Sequence, residues 1–292
     1  MNYIAEFCDL YTDCANTARS YIVVIKQYSD WCEEQYGWDM QGVVDNSNKR
    51  TAMLFLNHLA SLELSPFTIN QRHSGLLTFF KYLCELEYRT TNPFENIRRQ
   101  NTKMIEQKTS YITYEEFQDL IEAVNTKTRN SSTFEFTSAR DTLLITTLFT
   151  VGLRISEALN MKFSDIDLET RTIKIVGKGS KFRRVPITDE MLRCLDRYKS
   201  IRSEYAFTDY VFVSVNGKQL DARDGNRNLQ KYCKRANIDK DISNHSLRHS
   251  SATYYIRQGV DTARVATLLG HSSVAITGRY THLDENDLDF VK

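Results

Sequence analysis

Apolar positions recur at helical spacing along most of the chain and switch to strict alternation over one short stretch past its middle. In residues 16–36, Tyr21, Val24, Ile25, Tyr28, Trp31 and Cys32 fall on one face of a helix. A second stripe, Met53, Leu54, Leu56 and Leu59, predicts another. A third opens at Ser65-Pro66, a capping serine followed by proline at the first helical position, and runs through Ile69, Leu76, Phe79, Phe80 and Leu83. Further helices are expected over 114–125, 137–151 and from Arg154, then over 189–204, 223–236, 246–258, 262–269 and 273–281. Between them, residues 171–176 and 182–187 alternate around a Gly177-Lys178-Gly179-Ser180 turn, which predicts a β-hairpin. Tyr210 to Ser214 reads as a third strand. The pattern is mainly α, with a small antiparallel β-sheet.

Periodicity lapses over residues 98–110, which are polar and basic, and resumes at Thr113-Tyr114-Glu115-Glu116, a capping box. This divides the chain into a helical domain over 1–97, a linker over 98–111 and a second domain over 112–292. At 292 residues, 41% hydrophobic and 26% charged, the chain has the composition of a globular protein with room for two cores. No apolar run approaches the roughly 18 residues needed to span a bilayer, and the N-terminus lacks a signal-peptide pattern. Six scattered cysteines without a CxxC pair fit a reducing compartment, so a cytoplasmic, nucleoid-associated protein is expected.

Charge is unevenly spread. Residues 1–48 hold two Lys/Arg against eight Asp/Glu, and residues 281–292 hold one against four. With a net charge of +1, the stretch between is strongly basic, the pattern of a nucleic-acid surface with acidic flanks.

Four segments of the second domain concentrate groups suited to phosphodiester chemistry. They are Gly152-Leu153-Arg154-Ile155-Ser156-Glu157, Gly177-Lys178-Gly179, His245-Ser246-Leu247-Arg248, and Leu268-Leu269-Gly270-His271 with Tyr280 nine residues on. A phosphodiester is an anion that gains charge on its non-bridging oxygens during attack, and guanidinium forks match those oxygens. Each preorganised donor of this kind is worth on the order of 10²–10³ in rate. A tyrosine hydroxyl, with a pKa of about 10, needs a base or a positive field to attack, and histidine can serve. The departing alkoxide needs a proton, for which lysine is suited.

Taken in order, these boxes resemble the catalytic boxes of the tyrosine recombinase (phage integrase) family, in its compact two-domain, Xer-like form. Residues 68–83 also resemble the DNA-facing helix of that family's core-binding domain. The resemblance implies an N-terminal helical core-binding domain and a catalytic domain that clamp duplex DNA between them. Arg154 and Arg248 would hold the scissile phosphate, and Lys178 would protonate the 5′-oxygen. His245 would act as acid/base, His271 would donate to a phosphate oxygen, and Tyr280 would form a 3′-phosphotyrosine. Glu157, three residues after Arg154, would support the site. The implied reaction is strand exchange through a Holliday junction. It would be carried out by a homotetramer on two recombination-site duplexes, with no cofactor and with accessory DNA-binding proteins as possible partners. Val151 departs from the family, which often has a small hydroxyl residue before this glycine.

Other readings have their own residues. The hairpin cations Lys181, Arg183 and Arg184 lie in an acid-free run from Arg171, read as phosphate contacts beside the cut site, and Arg72 is read as a DNA contact of the first domain. His245 and His249 have the spacing of a helical zinc pair, but a zincin needs Glu where Ser246 stands and a third ligand, so no metal is expected. A type IB topoisomerase-like enzyme shares the chemistry, and a DNA-binding regulator with a vestigial site shares the surface.

Overall fold

The computed structural model describes residues 2–11, 15–102, 110–127, 132–177, 182–205 and 208–270. The chain forms two compact units, residues 1–107 and 108–292. No helix among the described residues is long and apolar enough to cross a membrane.

The first unit contains five helices among its described residues: α1 (Tyr3–Tyr11), α2 (Ala15–Tyr36), α3 (Met40–Asn46), α4 (Lys49–Ser61) and α5 (Pro66–Glu85). Helix α5 starts as expected, with the Ser65 hydroxyl accepting the Thr68 N–H. The core is aromatic. Tyr28 meets Phe55, Phe80 and Phe94 edge-on at centroid distances of 5.0, 6.0 and 5.3 Å, pairs worth about 0.5–1.5 kcal/mol each beyond burial. Its hydroxyl donates to Ser47 Oγ at 3.0 Å, so the ring is buried without stranding its polar end. Of the stripe expected on α4, Leu56 and Leu59 are buried, together with Ala52 and Phe55, while Met53 and Leu54 stay exposed. Residues past the expected domain end remain attached to α5. Asn70 exchanges hydrogen bonds with Gln100, and Arg99 donates to Ser74 Oγ.

The second unit is built around α7 (Phe134–Thr150), whose residues from Phe136 to Phe149 are almost all buried. Around α7 pack α6 (Tyr114–Asn125), α8 (Ile155–Leu159), α9 (Asp189–Arg202), α10 (Ala222–Arg235) and α11 (Asn244–Arg257). Helix α12 (Thr262–Leu269) packs on α11. The α6 capping box forms as read, with Thr113 N–H donating to Glu116 and Glu116 N–H to Thr113. Just ahead of it, Ile112 N–H donates to Ser250 Oγ, and Tyr111 lies under both Lys240 and Arg257.

A three-stranded antiparallel sheet completes the unit in the order β1 (Ile166–Asp167), β2 (Thr172–Val176), β3 (Phe182–Pro186). The expected hairpin is β2–β3, with Ile173 opposite Val185 and Ile175 opposite Arg183. The third strand is not Tyr210–Ser214. That segment makes only isolated bridges, Tyr210 with Lys162 and Val213 with Gln219. The Arg202 guanidinium gathers the carbonyls of Thr208, Tyr210 and Val211, and Val211 N–H bonds to Met161, so the segment's backbone is held away from the sheet edge. Its β-like composition reflects burial of Val211, Phe212 and Val213.

Within this core lies a charged pair. Arg140 Nε donates to Asp141 Oδ1 at 2.7 Å, and both side chains are 4% exposed. Asp141 Oδ2 also accepts from Tyr232 at 2.8 Å and Asn228 at 3.1 Å, while Arg140 reaches the Val213 carbonyl. Such a pair is costly to break from one side, because the surviving charge stays buried. Asp141→Ala should therefore lose about 3–5 kcal/mol in urea unfolding. The double replacement Arg140→Met/Asp141→Leu should lose less than Asp141→Ala alone. A double variant as unstable as the single one would show that the pair itself, and not a stranded charge, sets the loss.

Candidate active site

The site is made from helix ends and one strand. Helix α7 ends at Val151, and Gly152 follows with φ +66°, a left-handed conformation. A Cβ there would lie 2.3 Å from Leu269 Cδ2 and 2.9 Å from Ser251 Oγ, so only glycine fits. The chain then turns into α8, with Arg154 at its N-cap. Glu157 at the third helical position accepts the Arg154 backbone N–H at 2.9 Å. The Tyr255 hydroxyl supports this corner by donating to the Thr150 carbonyl at 2.7 Å.

Glu157 is the hub. Its side chain is only 5% exposed and faces three guanidinium groups. Arg154 Nη1 donates to Oε1 at 2.9 Å. Arg183 holds both oxygens, Nη1 to Oε1 and Nη2 to Oε2, each at 3.0 Å. Arg248 Nη1 is 4.0 Å from Oε2. Burial pushes this carboxyl up, but the hydrogen bonds from Arg183 and the Arg154 backbone, with the charges of both arginines, hold it at about 2.

The two arginines expected to clamp a phosphate sit very differently. Arg154 has a side chain 46% exposed. Arg248 is 2% exposed and donates to the Gly152 carbonyl at 2.6 Å and the Leu269 carbonyl at 2.7 Å. The Leu269 carbonyl is at the C-terminus of α12, where backbone acceptors have no partner within the helix, and the Gly152 carbonyl lies in the turn just after α7. Arg248 thus ties the turn after α7 to the end of α12 beneath the surface, and the guanidinium presented to solvent is that of Arg154. His245, on the first turn of α11, keeps part of its ring at the surface. Burial of the remainder, then the charges of Arg248 and Arg154, lower its pKa below 6.5. His249 is half-buried and pushed down to about 4, by burial first and His245 second.

Arg183 also differs from expectation. The hairpin cations were read as one DNA-facing row, but pleating separates them. Arg183 shares the inner face with Ile173, Ile175 and Val185, whereas Lys174, Phe182 and Arg184 face out. Arg184 lies at the surface near Asp167 and Thr172. The period of two was present in the sequence and was the signal that could have found this role. Arg72, in the first unit, lines a groove of about 530 Å³ with Thr17, Arg19, Gln71 and Ser74, and among the described residues its Nε has no hydrogen-bond partner. Lys178, Lys181, His271 and Tyr280, with the helix expected over 273–281, lie outside the described residues.

Three of the boxes, separated by about a hundred residues of chain, are therefore joined by Arg248, and Arg183 joins the hairpin to them. The profile described as "Phage integrase family" matches residues 110–287, and that of its N-terminal SAM-like domain matches residues 3–90. The chain belongs to the phage integrase family. Its enzyme class follows as a tyrosine recombinase, and its fold is the helical-plus-small-sheet architecture of that family. The chain is 29% identical over 275 residues to tyrosine recombinase XerC of Staphylococcus epidermidis, covering 93% of this chain and 88% of that one. It is also 29% identical over 278 residues to XerC of Staphylococcus aureus, covering 94% and 88%. Among solved structures it resembles XerA recombinase at 26% identity with a TM-score of 0.54, covering 99% of this chain and 96% of that one. XerH bound to its difH substrate matches in fold with a TM-score of 0.71 at 22% identity, covering 99% and 93%.

Because Glu157 is depressed from 4.5 to about 2, its ionisation favours the folded state above about pH 4.5, and that contribution disappears as pH falls toward 2. The shift corresponds to about 3 kcal/mol. Acid unfolding of Glu157→Gln should lack this part of the pH dependence. An unchanged slope between pH 4.5 and 2 would place the acid sensitivity elsewhere.

Proposed function

We propose that this chain is a site-specific DNA recombinase that cuts one strand with Tyr280, forms a 3′-phosphotyrosine and exchanges strands through a Holliday junction. The observation that carries this reading is the meeting of Arg154, Glu157, Arg183, His245 and Arg248 at one corner of the second unit. Arg154 contacts the scissile phosphate, and Arg248 adds positive charge from beneath while fixing the backbone on either side. His245 is neutral near pH 7 and accepts a proton. Lys178 at the hairpin tip gives a proton to the 5′-oxygen, and His271 donates to a phosphate oxygen. Arg184, Lys181 and Arg72 contact the DNA backbone, with Arg72 in the groove of the first unit. The assembly is four copies on two duplexes, and the protein works on DNA in the cytoplasm. XerH and lambda integrase, which this fold resembles, were crystallised bound to their DNA sites.

The test uses a nicked duplex carrying the site that the protein protects in its own genomic neighbourhood. Wild type should form a covalent protein–DNA adduct, and Tyr280→Phe should bind but form none. An adduct with the Phe variant would remove Tyr280 as nucleophile. Products joining two different duplexes separate this reading from a topoisomerase, which relaxes supercoils within one.

The pH profile tests His245. Its lowered pKa keeps the base form present below pH 6.5, so adduct formation should hold to below that pH and then fall. His245→Gln should be slow throughout and lack this limb. An identical limb in the variant would assign it to another group.

A further inference from the structure

Arg154 is bound by the carboxylate that positions it, which poses a problem for a residue that has to receive a phosphate. Its Nη1 donates to Glu157 Oε1, the same atom that accepts Arg183 Nη1. If Arg154 turns outward, Oε2 retains Arg183 Nη2 and the Arg154 backbone N–H, and Oε1 retains Arg183 Nη1. Without Arg183, the nearest remaining guanidinium is Arg248 at 4.0 Å, already engaged with two carbonyls. The buried carboxylate would then hold Arg154 against any outside anion, because an unpaired buried charge is expensive.

We propose that Arg183 is a positioning residue that neutralises Glu157 so that Arg154 is released to the phosphate. The inference rests on the reading of Arg154 as the phosphate-contacting group. Two further features fit it. Strand pleating places Arg183 on the inner face of β3, with its side chain 19% exposed. Its guanidinium also lies directly against Gly270, where a Cβ would come within 2.8 Å of Cζ and Nε. Among the described residues Nε is buried there without a partner, and the hydrogen bonds of this side chain go to Glu157. Arg183 thus sits between Glu157 and Gly270, the residue preceding His271.

The test needs no DNA. Inorganic phosphate is titrated into full-length protein while the Arg154 Nε–H NMR signal, identified with Arg154→Lys, is followed. Wild type should show a saturable shift. Arg183→Gln should weaken the apparent phosphate affinity about tenfold or more, since Glu157 now competes for Arg154. Adding Glu157→Gln to that variant should restore the affinity to within about threefold of wild type, because the competing charge is gone. A purely structural Arg183 predicts the opposite: the double variant stays as weak as the single one. Unchanged affinity in Arg183→Gln, or failure of the second replacement to rescue it, overturns the proposal. If Arg183→Gln does not fold, Arg183→Lys, which keeps charge but loses the fork, is read by the same rescue. Should the phosphate pattern hold while wild type forms no DNA adduct, the recombinase reading falls and the positioning role stands.

Discussion

One carboxylate among three guanidinium groups is the constraint around which this site is arranged. Glu157 is buried, and a buried carboxylate persists as an anion only where hydrogen bonds and opposite charges outweigh the loss of water. Arg183 supplies the fork, the Arg154 backbone supplies an amide, and Arg154 and Arg248 add positive charge. These partners come from β3, the start of α8 and the first half of α11. Satisfying one acid therefore fixes the relative positions of three elements that hold the candidate site.

The ends of α7 and α12 obey a related rule. Terminal carbonyls have no intrahelical partner, and here that of Leu269 accepts from Arg248, as does the Gly152 carbonyl in the turn after α7. Gly152 permits this by adopting a left-handed conformation and letting Leu269 approach closely. The arrangement leaves Arg154 as the guanidinium with substantial exposure at this corner. The helix that leads into this corner, α7, is buried along most of its length and carries the Arg140–Asp141 pair with Tyr232 and Asn228. A recombinase holds a phosphate while bonds to it break and form, which favours a receptor carried on a fixed backbone.

Much of the fold was legible because its signals are local. Ser65-Pro66 and Thr113–Glu116 mark helix starts through hydrogen bonds within four residues, and alternation around Gly177 marks the hairpin. Misreadings arose where burial imitates a local signal or where an element is too short to have one. Val211, Phe212 and Val213 have strand-like composition because they fill the core, while β1 has two residues and no readable period. Arg98–Gln100 are expected as linker from their lost periodicity, and two of these residues bond to α5 through side-chain partners about 25–30 positions away, a tie that no local pattern shows.

For the site, the sequence by itself determined which chemistry is present. The order and spacing of the boxes bring arginine, histidine and glutamate together with a glycine at each bend, and these depend on residue identity and short-range geometry. It also contained the alternation that turns Arg183 inward, though six cations in a row read as a single face. Only the tertiary structure decided what each arginine does. Arg154, Arg183 and Arg248 are chemically the same, and their sequence neighbourhoods do not rank them by exposure. What separates them is distance to one buried carboxylate and to two backbone carbonyls, contacts that bring together residues far apart in the chain. Electrostatic energies depend on that burial and separation, which exist only once the elements have packed.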